Sequence, residues 1–273
     1  MKEAQKLERR GAKMKKLLQI HNITKIFGEG TINEKVAINN LSLTLEEGDF
    51  VTVIGNNGAG KSTLMNAIAG VFPMDEGQII IGEKDVTKEP EHKRAKHIGR
   101  VFQDPLKGTA FDMTIEENLA IAACKAKPRG LQRGLTKADR KAFKEQLGIL
   151  EMGLEDKLTQ KVKLLSGGQR QALTLFMATM ANPKILLLDE HTAALDPSAA
   201  EKVLALTEKF AKREGMCTLM ITHNMKDALK YGNRTILMQD GKIVMDIKGE
   251  ERANMTVEKL IAKFSIDNDR MLL

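Results

Sequence analysis

Apolar residues recur along this chain in short runs bounded by glycine and acidic turns, and the period of each run differs. Leu17 to Phe27 reads as an edge strand, followed by a polar loop with Gly28 and Gly30. Ile38 to Leu45 alternates, with Leu41, Leu43 and Leu45 on one face, which predicts a half-buried strand. Glu46-Glu47-Gly48-Asp49 marks a turn. Phe50 to Ile54 is apolar and β-branched, a buried strand that runs straight into a glycine-rich loop, and Ser62 to Ala69 then reads as a helix. Ile98 to Phe102 is a further short strand that ends at Gln103, and Ile185–Leu188 and Thr218–Ile221 are two more buried ones. Arg234–Met238 and Lys242–Ile247 flank Gln239-Asp240-Gly241, whose Asp-Gly pair predicts a hairpin. Thr256 to Phe264 reads as a short amphipathic helix.

The pattern changes character from Thr114 to about Leu164, where it becomes helical and charged. Thr114-Ile-Glu-Glu117 is a capping box that starts this stretch, and Pro128, Gly130 and Gly134 interrupt it with a loop. The expectation is a helical subdomain inserted between strands of an α/β core. No internal repeat interrupts the plan.

Composition narrows the class. The 273 residues suffice for one large domain with a subdomain, and 42% apolar content supports a packed core. No window approaches the roughly 20 apolar residues of a membrane-spanning helix, and no apolar run follows the basic N-terminus as in a secretory signal. Cys124 and Cys217 lie far apart with no metal-type spacing, which fits a reducing compartment. The formal charge of +7 suggests nucleic acid until it is located. Residues 1–16 hold seven basic side chains against two acidic ones, so five of the seven charges sit there. The rest is near neutral, no nucleic-acid partner is expected, and the basic segment reads as a solvated tail.

Chemistry concentrates at strand ends. In Gly55-Asn56-Asn57-Gly58-Ala59-Gly60-Lys61-Ser62-Thr63 the glycines let backbone amides wrap phosphates. Lys61 supplies a point charge for the β and γ phosphates, Ser62 a hydroxyl for Mg²⁺, and the following helix its N-terminal dipole. Ile185-Leu-Leu-Leu-Asp189 puts a carboxylate at the carboxyl end of a buried strand, where it would hold the Mg²⁺ shell. Glu190 would polarise the water that attacks the γ-phosphate. Gln103 would sense Mg²⁺ or water, and His223 would contact the γ-phosphate. Taken singly, a lone strand-end histidine is more often structural. A second glycine-rich segment, Leu165-Ser166-Gly167-Gly168-Gln169, opens a helix far from the first.

Together these motifs, in this order, resemble the nucleotide-binding subunit of an ATP-binding cassette (ABC) transporter, over about Leu17 to Phe264. Gly55–Ser62 resembles the Walker A loop, Ile185–Asp189 the Walker B strand and Glu190 the catalytic glutamate. Gln103 matches the Q-loop, Leu165–Gln169 the signature, Ala194-Leu195-Asp196 the D-loop and His223 the switch histidine. Phe27 falls where the family places an adenine-stacking aromatic. The resemblance implies a RecA-like P-loop α/β core over 17–248, with an antiparallel β subdomain, a helical insert near 110–165, and a helical tail from 249 onward. It also implies ATP and Mg²⁺ as cofactors and catalytic roles for Lys61, Gln103, Glu190 and His223. Two copies would close head-to-tail around two ATPs. Each nucleotide would then meet one copy's Walker A loop and the other's Ser166, Gly167, Gly168, Gln169 and Asp196.

Segments such as Gly153-Leu-Glu-Asp-Lys-Leu158 and Asp189-Glu-His-Thr-Ala-Ala-Leu-Asp196 resemble a bacterial importer group. That group works with multi-spanning permeases and extracytoplasmic solute-binding lipoproteins, at the cytoplasmic face of the inner membrane, and some members take up tryptophan or tyrosine. Phe102, Phe111 and Met113 are candidates for the groove that meets the permease. An exporter ATPase and a soluble ATPase of metal-cluster assembly are the alternatives. The family usually has proline after the glutamate, where this chain has His191. Either the imidazole is a tolerated variant or it tunes Glu190 with pH.

Overall fold

The computed structural model describes residues 15–126, 134–213 and 215–269. Most of the basic tail, and the loop of Pro128 and Gly130, lie outside the described residues.

Two sheets form the framework. The first is antiparallel, in the order β2-β1-β4-β5, from β1 (Lys16–Phe27), β2 (Lys35–Glu46), β4 (Glu76–Ile81) and β5 (Lys84–Asp85). β1 is not an edge strand: it pairs with β2 on one side and β4 on the other. Its polar-apolar alternation reflects one solvated face of the sheet. A period of two reports faces and says nothing about neighbours in the sheet. β4 goes beyond the sequence expectations, although Ile79, Ile80 and Ile81 are its signal.

The second sheet has the order β10-β9-β3-β8-β7-β6. β3 (Phe50–Gly55), β6 (Ile98–Val101), β7 (Ile185–Asp189), β8 (Cys217–Ile221) and β9 (Arg234–Gln239) run parallel. β10 (Lys242–Lys248) turns back antiparallel at the edge. The parallel strands are covered on both faces, which is why they read as unbroken apolar runs. Asp240 at φ 46° and Gly241 at φ 73° make the hairpin turn that the Asp-Gly pair predicts.

Helix α1 (Lys61–Ala69) buries Leu64, Met65 and Ile68 in a core shared by both sheets. Arg94, at the end of the short helix α2 (Glu91–Arg94), is itself buried, and its guanidinium donates to the α1 carbonyls of Ala67 and Ile68. Between β6 and β7 lie α3 (Ile115–Ala126), α4 (Lys137–Leu147) and α5 (Gly167–Thr179). Glu117 Oε2 accepts from the Thr114 amide at 2.7 Å, and the Thr114 hydroxyl accepts from the Glu117 amide at 3.3 Å, closing the capping box ahead of α3. Leu119, Phe143, Leu147 and Leu173 make a second core with Leu186, Leu188 and Met220 of the sheet. A Leu173→Ala truncation in that close-packed interior would cost about 2–5 kcal/mol.

Helix α6 (Pro197–Ala211) is another element beyond the sequence expectations. Asp196 caps it and proline stands in its first turn. Helices α7 (Met225–Lys230), α8 (Gly249–Ala253) and α9 (Val257–Asp269) finish the chain, with Leu260 packed on Ile54, Ala228 and Leu237.

Candidate functional site

The glycine loop leaves β3 at Gly55 and enters α1 at Lys61. Two glycines there have no substitute. A side chain on Gly55 would collide with the Met238 carbonyl, and one on Gly60, at φ 95°, would lie 2.5 Å from the Ala37 carbonyl. The loop is thus pressed against β2 and β9 while Asn56, Asn57 and Gly58 stay exposed at its rim. Lys61 is 6% exposed, and its Nζ donates to the carbonyls of Gly55 and Asn56 at 2.8 Å each. Burial lowers its pKa, while Glu190 and Asp189 oppose the shift, so an ammonium is held close to two carboxylates. Ser62 and Thr63 follow in the first turn of α1, with the Ser62 side chain exposed.

Asp189 ends β7 as expected. Burial raises its pKa, and Arg100 is the strongest group opposing that rise. Sequence reading misses Arg100, although a basic residue inside the apolar strand Ile98–Val101 is a signal. Its Nη2 donates to Asn66 Oδ1 at 2.5 Å, and its guanidinium lies 4.5 Å from the Phe102 ring centre. Asp189, Gln103, Asn66, Arg100 and Lys107 line one cavity of about 650 Å³. Hard oxygen donors suit Mg²⁺, which binds through one or two carboxylates plus phosphate oxygens rather than an all-protein cage. The Ser62 hydroxyl, Asp189 carboxylate and Gln103 amide fit that chemistry. Among the described residues no group of three acidic, cysteine or histidine side chains forms a separate metal cluster.

Glu190 sits at φ 46°, a left-handed conformation that costs a non-glycine residue about 1–3 kcal/mol. Its amide donates to the Ile221 carbonyl at 3.2 Å, and its carbonyl accepts from Ala193 at 3.0 Å. This unusual backbone directs the carboxylate to His223, with Nε2 2.6 Å from Oε1. Both residues line a second cavity of about 260 Å³ with Thr222, Asn224 and Asp227. The structure thus joins His223 to Glu190, two residues that the sequence expectations placed separately.

His191 points elsewhere. It is 3% exposed and its Nε2 lies 2.9 Å from Thr207 Oγ1 on α6. The Thr207 hydroxyl donates to the Val203 carbonyl, so the imidazole Nε2–H is the donor to Thr207 Oγ1. Burial holds its pKa down to about 4. A ring that stays neutral across the physiological range does not tune Glu190 with pH, which removes the sharper of the two sequence expectations.

The signature segment belongs to another neighbourhood. Ser166 caps α5: its hydroxyl accepts from the Gln169 amide, and Gln169 Oε1 accepts from the Ser166 amide, both at 3.2 Å. Gln169 Nε2 also donates to the Met152 carbonyl at 3.1 Å. A side chain on Gly168 would stand 2.8 Å from the Ala199 Cβ of α6, and one on Gly167 3.1 Å from Leu195. Asp196 is spent on its own helix, accepting from the Ala199 amide at 3.0 Å. The signature therefore packs on the start of α6, whereas the glycine loop packs on β2 and β9. One further link was not legible: buried Gln171 of α5 donates to the Phe102 carbonyl at 3.4 Å, next to Gln103. Phe27 is 41% exposed, with Phe72 edge-on to it at 5.3 Å and Lys25 Nζ 5.5 Å from its ring centre.

The three apolar candidates divide. Phe102 lines a groove of about 260 Å³ with Ala122, Lys125, Thr174, Met177 and Ala178. Phe111 instead stacks under Arg170 at 4.8 Å, and the Met113 carbonyl accepts from the Val162 amide.

Known proteins are similar to this chain in sequence and fold. The ABC transporter family profile matches residues 38–193. The chain is 44% identical over 248 residues to the tyrosine transport ATP-binding protein of Clostridioides difficile (strain R20291), covering 91% of this chain and 98% of that protein. It is 32% identical to the energy-coupling factor transporter ATP-binding protein EcfA2 of Clostridium tetani, over 84% of this chain and 78% of that one. The ADP conformation of the ATP-binding cassette MJ1267 superposes with a TM-score of 0.74 at 31% identity, over 92% and 98% of the two chains. The dimeric post-hydrolysis structure of cassette MJ0796 with ADP and Pi gives 0.72 at 30%, over 85% and 98%. With its phosphate loop, its Asp-Glu strand end and a signature turned toward a different neighbourhood, the chain belongs to the ABC transporter family as an ATP-binding cassette, an ATPase.

Proposed function

We propose that this cassette is the motor of an importer, working as a pair of identical copies that close head-to-tail around two ATPs. Its solute class is amino acids, aromatic ones first. The observation that carries the solute reading is the 44% identity to a tyrosine transport ATP-binding protein along nearly the whole of both chains.

In this reading the γ-phosphate lies between Lys61 and the Glu190–His223 pair. Bound Mg²⁺ supplies charge neutralisation of the phosphate oxygens. Asp189, Ser62 and Gln103 would hold it, and Arg100 opposes the rise that burial imposes on the Asp189 pKa. Glu190 accepts a hydrogen bond from the attacking water, and His223 fixes the carboxylate's orientation through its 2.6 Å contact. Ser166, Gly167 and Gly168 present first-turn amides of α5 to the other copy's nucleotide.

The permease would bind at the groove of Phe102, Ala122, Met177 and Ala178, which adjoins Gln103. No described helix is long and apolar enough to cross a membrane, so the reading requires a separate membrane partner and a place at the cytoplasmic face of the inner membrane. An extracytoplasmic solute-binding protein would deliver the solute. Co-purification tests the partner: a multi-spanning membrane protein is expected, and only soluble partners would sink the transport reading. Uptake of labelled tyrosine by cells carrying Lys61→Ala should collapse; undiminished uptake would reject the solute class.

A further inference from the structure

Lys35 opens β2, and its register partner is Phe27, the last residue of β1. The connecting loop is folded on itself: the Thr31 amide donates to the Gly28 carbonyl at 3.0 Å, and Glu34 Oε2 accepts from the Gly30 amide at 2.9 Å. These bonds fix where β2 starts and place Lys35 directly across from the aromatic platform. Its ammonium reaches the glycine loop as well. A Cβ built on Gly58 would stand only 3.6 Å from Lys35 Nζ. Lys35 is exposed, and among the described residues it takes part in none of the ion pairs.

The cradle therefore has two cations of different kind. Lys61 is buried and held by the carbonyls of Gly55 and Asn56 at the helix end of the loop. Lys35 stands on the solvent side, between the base platform and the exposed rim at Gly58. A nucleotide with its base on Phe27 and its terminal phosphates at Lys61 must run its α-phosphate between them. We propose that Lys35 is a nucleotide-binding residue whose ammonium contacts the α-phosphate. The assignment rests on the nucleotide reading of Phe27 and Gly55–Ser62. It gives Lys35 a role that does not distinguish ATP from ADP, since both carry the α-phosphate.

The test is fluorescence titration of the full chain with mant-ATP, mant-ADP and mant-adenosine, using wild type, Lys35→Ala, Lys35→Arg and Lys61→Ala. Lys35→Ala should weaken mant-ATP and mant-ADP alike by about three- to tenfold, the size of one exposed charge-assisted contact. Mant-adenosine should be unaffected, and Lys35→Arg should retain most of the affinity. Unchanged nucleotide affinity in Lys35→Ala, with Lys61→Ala clearly impaired, would overturn the assignment while leaving the site intact. A loss confined to mant-ATP, or an arginine variant as weak as alanine, would also overturn it. If the wild type bound neither nucleotide, the cradle reading itself would fall, and Lys35 with it.

Discussion

The two glycine-rich segments of this chain look alike in sequence and differ in what surrounds them. Gly55–Ser62 is coupled to a cluster of charged groups: Lys61 feels Glu190 and Asp189, and Glu190 touches His223 at 2.6 Å. Ser166–Gln169 is equally well ordered, with a reciprocal cap and a bond to Met152, yet its neighbours are Leu195 and Ala199. One half is a cradle with its reactive groups in place. The other is a finished helix start whose reactive groups are not at hand. Flexible backbone alone does not make a phosphate site; the charges that converge on it decide which kind of half-site it becomes.

The largest effect should come from the cradle. Glu190→Gln removes the proposed base and should lower ATP turnover by about 10²–10⁴-fold while nucleotide still binds, as measured by phosphate release and by mant-ATP titration. Normal turnover would remove Glu190 from the chemistry. In the other half, Ser166→Asp keeps a competent helix cap but sets a negative charge where a partner's γ-phosphate would lie. Turnover should fall about 100-fold with mant-ATP affinity of the single copy unchanged, the size of losing one preorganised donor. A matching loss of binding would mean that both segments serve one nucleotide in one chain.

Arg100→Met tests the support of Asp189. Without its opposing cation, the buried carboxyl should shift further up, and the Mg²⁺ concentration for half-maximal turnover should rise about three- to tenfold. An unchanged Mg²⁺ dependence would leave Arg100 as packing alone. The smallest effect on turnover concerns His191. Its folded pKa of about 4 lies below the ordinary 6.5, so the unfolded chain takes up a proton that the fold refuses. Stability is full above pH 6.5 and falls as pH drops from there through 4, by on the order of 3 kcal/mol. His191→Gln should flatten that acid limb in denaturant titrations and leave the pH profile of turnover above pH 6.5 as in wild type. A shifted profile would restore the imidazole as a tuner of Glu190.

Legibility in the sequence followed how local each feature is. The order β3, glycine loop, α1 was readable because the strand pattern, the glycines and Lys61-Ser62 are contiguous. The Asp240-Gly241 hairpin was readable for the same reason. The place of β1 inside its sheet was not, because alternation along Leu17–Phe27 says which face is wet and not how many strands lie beside it. The direction of His191 is likewise a tertiary fact, set by Thr207 on a helix sixteen residues on. Arg100 escaped because its value lies in Asp189, a residue of the neighbouring strand in the sheet. What joins residues across strands leaves only indirect marks in a single chain.

The central claim is that Lys61 and Ser166 of one copy serve different nucleotides. Mixing two inactive variants tests it most directly. Lys61→Ala and Ser166→Asp, each with little turnover alone, are combined in equal amounts and the phosphate released is measured. If sites form between two copies, mixed pairs hold one intact site, and activity should return to about a quarter of the wild-type level under random pairing. Mixtures as inactive as either variant alone would contradict the account.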